Sequence, residues 1–148
     1  MYTGLLHLHS TLRWIILILL LVNIIRNFSK INEPFTSQDK KLGLFLMIAA
    51  HLTLTLGLIQ WAWHWLPNIP QGVDIMTNEY WRFYLIEHPV GMIIAIVLIT
   101  IGKGVAKKNI SDHQKHKRAA TLFLIALIII LATIPWPFRG AIGRSLVP

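Results

Sequence analysis

Four apolar runs, each near the length that crosses a bilayer, constrain this chain more than any other feature. A helix needs about 20 residues to span the hydrocarbon core of a membrane. The runs cover roughly residues 5–26, 42–65, 80–102 and 112–134. Ser111 and Gln114, spaced as a capping box, open the last run, so its first turn is expected in water. Of the 148 residues, 55% are hydrophobic and only 14% are charged, which is too apolar for an ordinary soluble domain. Backbone polar groups in lipid must find their partners within the protein. The reading is therefore an all-α membrane protein, one domain over residues 1–148 with four transmembrane helices. Short connections make successive helices antiparallel, which gives an up-down-up-down bundle. The first run has no basic residue ahead of Arg13 and no small-residue cleavage site after it, so it is read as a retained helix rather than a signal peptide.

The formal net charge of +8 does not point to nucleic acid, because the basic residues sit in the gaps between runs. Arg26, Lys30, Lys40 and Lys41 occupy the first gap. Lys103, Lys107, Lys108, Lys115, Lys117 and Arg118 occupy the third. The second gap carries Asp74 and Glu79 and no basic residue. By the positive-inside rule the first and third gaps face the cytoplasm, and both termini lie outside. Trp61, Trp63, Trp65, Tyr80, Trp81 and Tyr84 then form an outer aromatic belt. The expected location is the bacterial inner membrane, multi-pass, with lipid as the first partner. The chain has no cysteine, which excludes disulfides, thiolate metal sites and covalent c-type haem. Phosphate-binding glycine loops, H-E-x-x-H and nucleophile elbows are missing as well.

Attention then falls on polar residues inside the slab, where they are expensive. His51 falls near the bilayer centre, His88 and His9 toward the outside, and His116 at the inner face. Each is on a different helix. In an antiparallel bundle helices one and three are diagonal, as are two and four. His9 with His88, and His51 with His116, thus form two diagonal pairs that would each grip a haem iron. Gly91 and Ala95 share the His88 face, and Ala49, Ala50 and Gly57 surround His51, as room for a flat cofactor requires. His7, His64 and His113 read as surface or interfacial. Arg13, one turn below His9, needs a partner. Glu87 and a haem propionate both qualify. Glu87 itself neutralises a buried cation or carries a proton near a quinone. Pro89 frees a backbone carbonyl one turn earlier that shapes the site.

"HLHSTLRW" opening the first helix, the midspan His51, "EHP" opening the third and "HKR" before the fourth resemble the small four-helix membrane cytochromes b. That group includes two-haem, quinone-linked proteins of the superoxide-oxidase type. The resemblance implies His9, His51, His88 and His116 as ligands of one or two haems b, and Arg13 as a propionate partner. If His116 lies in water instead, one haem remains, with His9 or His51 opposite His88. The implied function is electron relay between the quinone pool and a partner; an enzyme of this kind would be a quinone-linked oxidoreductase. A larger respiratory complex or a homodimer is the implied setting. Two other readings compete. One is an accessory subunit of a larger membrane complex, with its histidines hydrogen-bonding between helices. The other is outer-face copper binding by His7, His9, His64 and Gln60.

Overall fold

In the computed structural model, which describes residues 1–145, four helical runs are long and apolar enough to cross a membrane. They are α1 (Tyr2–Ser29), α2 (Ser37–Asn68), α3 (Glu79–Lys107) and α4 (Asp112–Thr133). The described residues contain no strand.

Helix starts follow local chemistry. The Asp39 carboxylate accepts from the Thr36 backbone N–H at 2.8 Å and from the Thr36 hydroxyl at 3.0 Å, so α2 begins five residues before the apolar run suggests. The same carboxylate takes Arg26 Nε at 2.7 Å, which ties the end of α1 to the start of α2. Ser111 Oγ accepts from the Gln114 N–H at 3.2 Å, and α4 starts where the capping pattern places it.

Side-chain bonds fix the direction of each helix against its neighbours. Gln60, late in α2, donates to the Leu5 carbonyl at 3.2 Å, and Asn23, late in α1, donates to the Leu42 carbonyl at 3.2 Å. Trp61 of α2 meets Leu85 of α3. His88, early in the apolar part of α3, meets Thr133 at the end of α4. His116, early in α4, meets Asn27 of α1. Successive helices are therefore antiparallel, α4 returns beside α1, and α1 lies diagonal to α3. Both gaps rich in Lys and Arg lie at one end, the basic end. The aromatic residues and the start of α1 lie at the other, the aromatic end.

The bundle interior is apolar, with Leu20, Leu46, Ala50, Ala95, Ile99, Ala120 and Ala126 fully buried. The outward faces are apolar too: Ile18 is 60% exposed and Ile25 is 64% exposed. A helix that is apolar on all sides suits lipid rather than water. The seam between α3 and α4 depends on small residues. A Cβ on Gly102 would lie 2.7 Å from the Phe123 ring, and one on Gly91 would lie 2.5 Å from Thr133 Cγ2. Such contacts bring membrane helices into close packing.

Gly102→Ala is therefore expected to destabilise the detergent-solubilised protein by roughly 1–3 kcal/mol, the usual range for overpacking. Gly104→Ala meets no atom within 4 Å and should leave the melting temperature unchanged. Equal effects from the two substitutions would refute the tight seam.

Candidate cofactor site

At the aromatic end the helices part around a cavity of about 490 Å³ lined by His9, Arg13, Trp65, Tyr84, His88 and Arg144, among others. Its size falls within the usual range for small-molecule sites. Two π turns flank it, Trp61–Trp65 in α2 and Phe83–Glu87 in α3; such turns recur at functional sites. The second runs straight into His88 and Pro89. Pro89 has no N–H, so the Leu85 carbonyl loses its ordinary helical donor. The Trp61 indole N–H supplies the missing bond at 3.0 Å. The carbonyl that Pro89 was expected to free thus pins α2 to α3. Trp65 and Tyr84, one from each π turn, stack with ring centroids 4.4 Å apart and planes 4° from parallel.

This framing sets the histidines. The Thr133 carbonyl lies 2.7 Å from His88 Nδ1. A carbonyl only accepts, so Nδ1 carries a proton, and in the neutral ring Nε2 keeps its lone pair. Ligating histidines are oriented in this way. His9 lies across the cavity, its ring centroid 6.3 Å from that of His88. Gly57 of α2 makes room for the His9 ring: a Cβ there would sit 3.3 Å from His9 Nε2. Arg13 lines the same cavity, as its place one turn from His9 predicts.

The other sequence-derived residues are placed differently. His51 points outward from α2, with Nδ1 2.8 Å from its own helix's Met47 carbonyl. His116 is fully buried, but its nitrogens face Asn27 Oδ1 at 2.8 Å and the Pro34 carbonyl at 3.4 Å. The expected inner pair is therefore not assembled. One member is exposed on the outside of the bundle, and the other belongs to a polar network that joins α4 to α1 and the first loop. Glu87, expected to pair with Arg13, accepts from Arg82 Nε at 2.8 Å. Gly91 opens no space for a cofactor, since Thr133 packs directly against it, and Ala95 belongs to the core. The copper candidates His7, His9, Gln60 and His64 all line this same cavity. Gln60 bonds Leu5, His64 stacks on Tyr2 at 3.7 Å, and no three His, Cys, Asp or Glu side chains converge among the described residues.

Sequence reasoning missed Arg144. The segment after α4 folds back over the cavity mouth. Arg139 donates to the Ala132 and Ile134 carbonyls, Tyr84 Oη donates to the Ile142 carbonyl at 2.6 Å, and the Arg144 N–H donates to the Pro135 carbonyl at 2.9 Å. The available signal was a pair of arginines separated by Gly-Ala-Ile-Gly, after two prolines, in "PWPFRGAIGR", at the end otherwise poor in basic residues.

No family model matches the chain, and no solved structure matches it. Among curated proteins it is similar to the type VII secretion system accessory factor EsaA of Staphylococcus aureus, in strains USA300, Newman and NCTC 8325 / PS 47 alike. Identity is 30% over 108 residues, 68% of this chain and 10% of that protein. The chain thus spans about a tenth of the length of the curated relatives it matches.

The Trp61–Leu85 bond can be tested by a double-mutant cycle. Trp61→Phe leaves the Leu85 carbonyl unpaired and should cost about 1–3 kcal/mol of stability. Pro89→Ala restores an N–H four residues on, so Trp61→Phe should cost less in the Pro89→Ala background. Additive effects would show that the indole bond does not serve this carbonyl.

Proposed function

We propose that the protein is a b-type cytochrome of the bacterial inner membrane that holds one haem between His9 and His88 and relays electrons between the quinone pool and a partner. The observation that carries this reading is the contact of His88 Nδ1 with the Thr133 carbonyl, which leaves Nε2 as the nitrogen available to a ligand, opposite a second imidazole. Two imidazoles sharing one metal ion have ring centroids about 6 Å apart, from two metal–nitrogen bonds of about 2 Å and about 1 Å within each ring. The 6.3 Å between the His9 and His88 centroids matches that spacing. Apolar walls from Ile96, Ile99 and Ile130, with the guanidinium groups of Arg13 and Arg144 also in the lining, suit a flat molecule that carries acidic groups. The four-helix layout and the "HLHSTLRW" and "EHP" segments agree with the resemblance to small membrane cytochromes b. Bound haem would supply one-electron redox chemistry. The chain's part is to orient His88 through Thr133, seat His9 against Gly57 and exclude water with the Trp65–Tyr84 stack. His51 and His116 take no part in this site, so the proposal is for one haem rather than two.

The orientation proposed is basic end in the cytoplasm, aromatic end and both termini outside. A second reading, an accessory subunit of a larger membrane complex, draws on the similarity to a secretion accessory factor and on the structural roles of His116 and His64. It needs no cofactor.

A reduced-minus-oxidised spectrum of protein made with ample haem separates the two. Sharp bands from one haem per chain are expected. His88→Ala and His9→Ala should each abolish or shift them, while His51→Ala and His113→Ala should leave them intact. A chain that shows no such bands would favour the accessory reading.

The absence of native cysteine makes the orientation directly measurable. Asn32→Cys should react with an impermeant thiol reagent only after the membrane is opened, and Gln71→Cys should react in intact spheroplasts. The reverse pattern would invert the orientation.

A further inference from the structure

We infer that Arg144 forms a carboxylate-binding subsite at the cavity mouth, and that it holds a propionate of the porphyrin. The inference rests on the haem reading of the same cavity and goes beyond it by assigning the ligand's acidic edge. Four observations support it.

First, the described lining of the cavity includes the guanidinium groups of Arg13 and Arg144 and no Asp or Glu. The nearest carboxylate on α3, Glu87, is held by Arg82. An acidic ligand would therefore complement the Arg144 charge. Second, the groups that position Arg144 are neutral. Its guanidinium lies 5.2 Å from the Trp65 ring centroid and 4.8 Å from that of Tyr84. Aromatic faces orient a cation without cancelling its charge. Third, a rigid hook delivers the side chain. A Cβ on Gly143 would lie 2.7 Å from the Trp136 carbonyl oxygen and 2.8 Å from that of Pro137, so the turn ahead of Arg144 closes only around glycine. The backbone N–H of Arg144 on the Pro135 carbonyl and the Tyr84 hydroxyl on the Ile142 carbonyl fasten both sides of it. Fourth, Tyr2 also lines the mouth and interacts with the guanidinium. Its shielded Oη closes no hydrogen bond of acceptable geometry. A carboxylate seated here would accept from Arg144 in the bidentate manner that suits a guanidinium, and from Tyr2.

The test uses the full-length protein purified without cofactor and titrated with haem b and with its dimethyl ester, in which both propionates are blocked. Binding is read from tryptophan quenching and from absorbance. Wild type should prefer haem b to the ester. Arg144→Leu should weaken haem b binding by about tenfold, the factor that one charged contact typically supplies, with little effect on the ester. Arg144→Lys should keep part of the preference, because it retains the charge but not the fork. Equal loss of both ligands in Arg144→Leu would mean that the residue acts only by holding the hook, and would overturn the subsite. Unchanged haem b affinity would overturn it as well, while leaving the haem reading intact. Failure of wild type to bind either ligand would sink the haem reading, and this inference with it.

Discussion

The bond from the Trp61 indole to the Leu85 carbonyl organises the aromatic end of the bundle. In lipid there is no water to take up a backbone acceptor that has lost its donor. Pro89 creates such an acceptor, and an indole from the neighbouring helix answers it. One contact thereby sets the approach of α2 to α3. It lies between the two π turns and beside the stacked Trp65–Tyr84 pair. His88 follows directly on the second π turn, where Thr133 of α4 orients its ring. A residue that weakens a helix locally is thus the origin of the geometry that makes the site.

The basic end solves the same problem differently. Asn23 and Asn27 are buried there, and their amides are used up by the Leu19, Leu42 and Asn23 carbonyls and by His116. Arg26 and Asp39 pair beside them. These groups satisfy one another and surround no cavity of useful size. The polar residues of the aromatic end, His9, His88 and Arg144 among them, do line one. That contrast, more than any single histidine, distinguishes a fastening from a binding site.

The sequence revealed depth but not azimuth. Run lengths and caps placed the four helices to within a few residues, and helix depth put His9 and His88 in the same half of the membrane. The face each histidine takes was not legible, because these helices are apolar on every side and periodicity cannot separate core from lipid. Ala50 and His51 show the difficulty: adjacent in sequence, one is fully buried and the other exposed. His116 misled for a related reason, since a basic surrounding sequence says nothing of the single buried position within it. Gly91 could be read as space for a cofactor or as close packing, and only the position of Thr133 decides between them. Arg144 lay beyond the helices, where no periodic pattern applies.

The hook over the cavity has a consequence for biosynthesis. Residues 135–145 follow all four helices in the chain, so they leave the ribosome after α4 has been made. Until then Trp65 and Tyr84 lack their guanidinium, Tyr84 lacks the Ile142 carbonyl, and the mouth stands open. The chain order lets the helices gather before the closure is made. A ligand too broad to pass the finished mouth would have its moment of entry during synthesis.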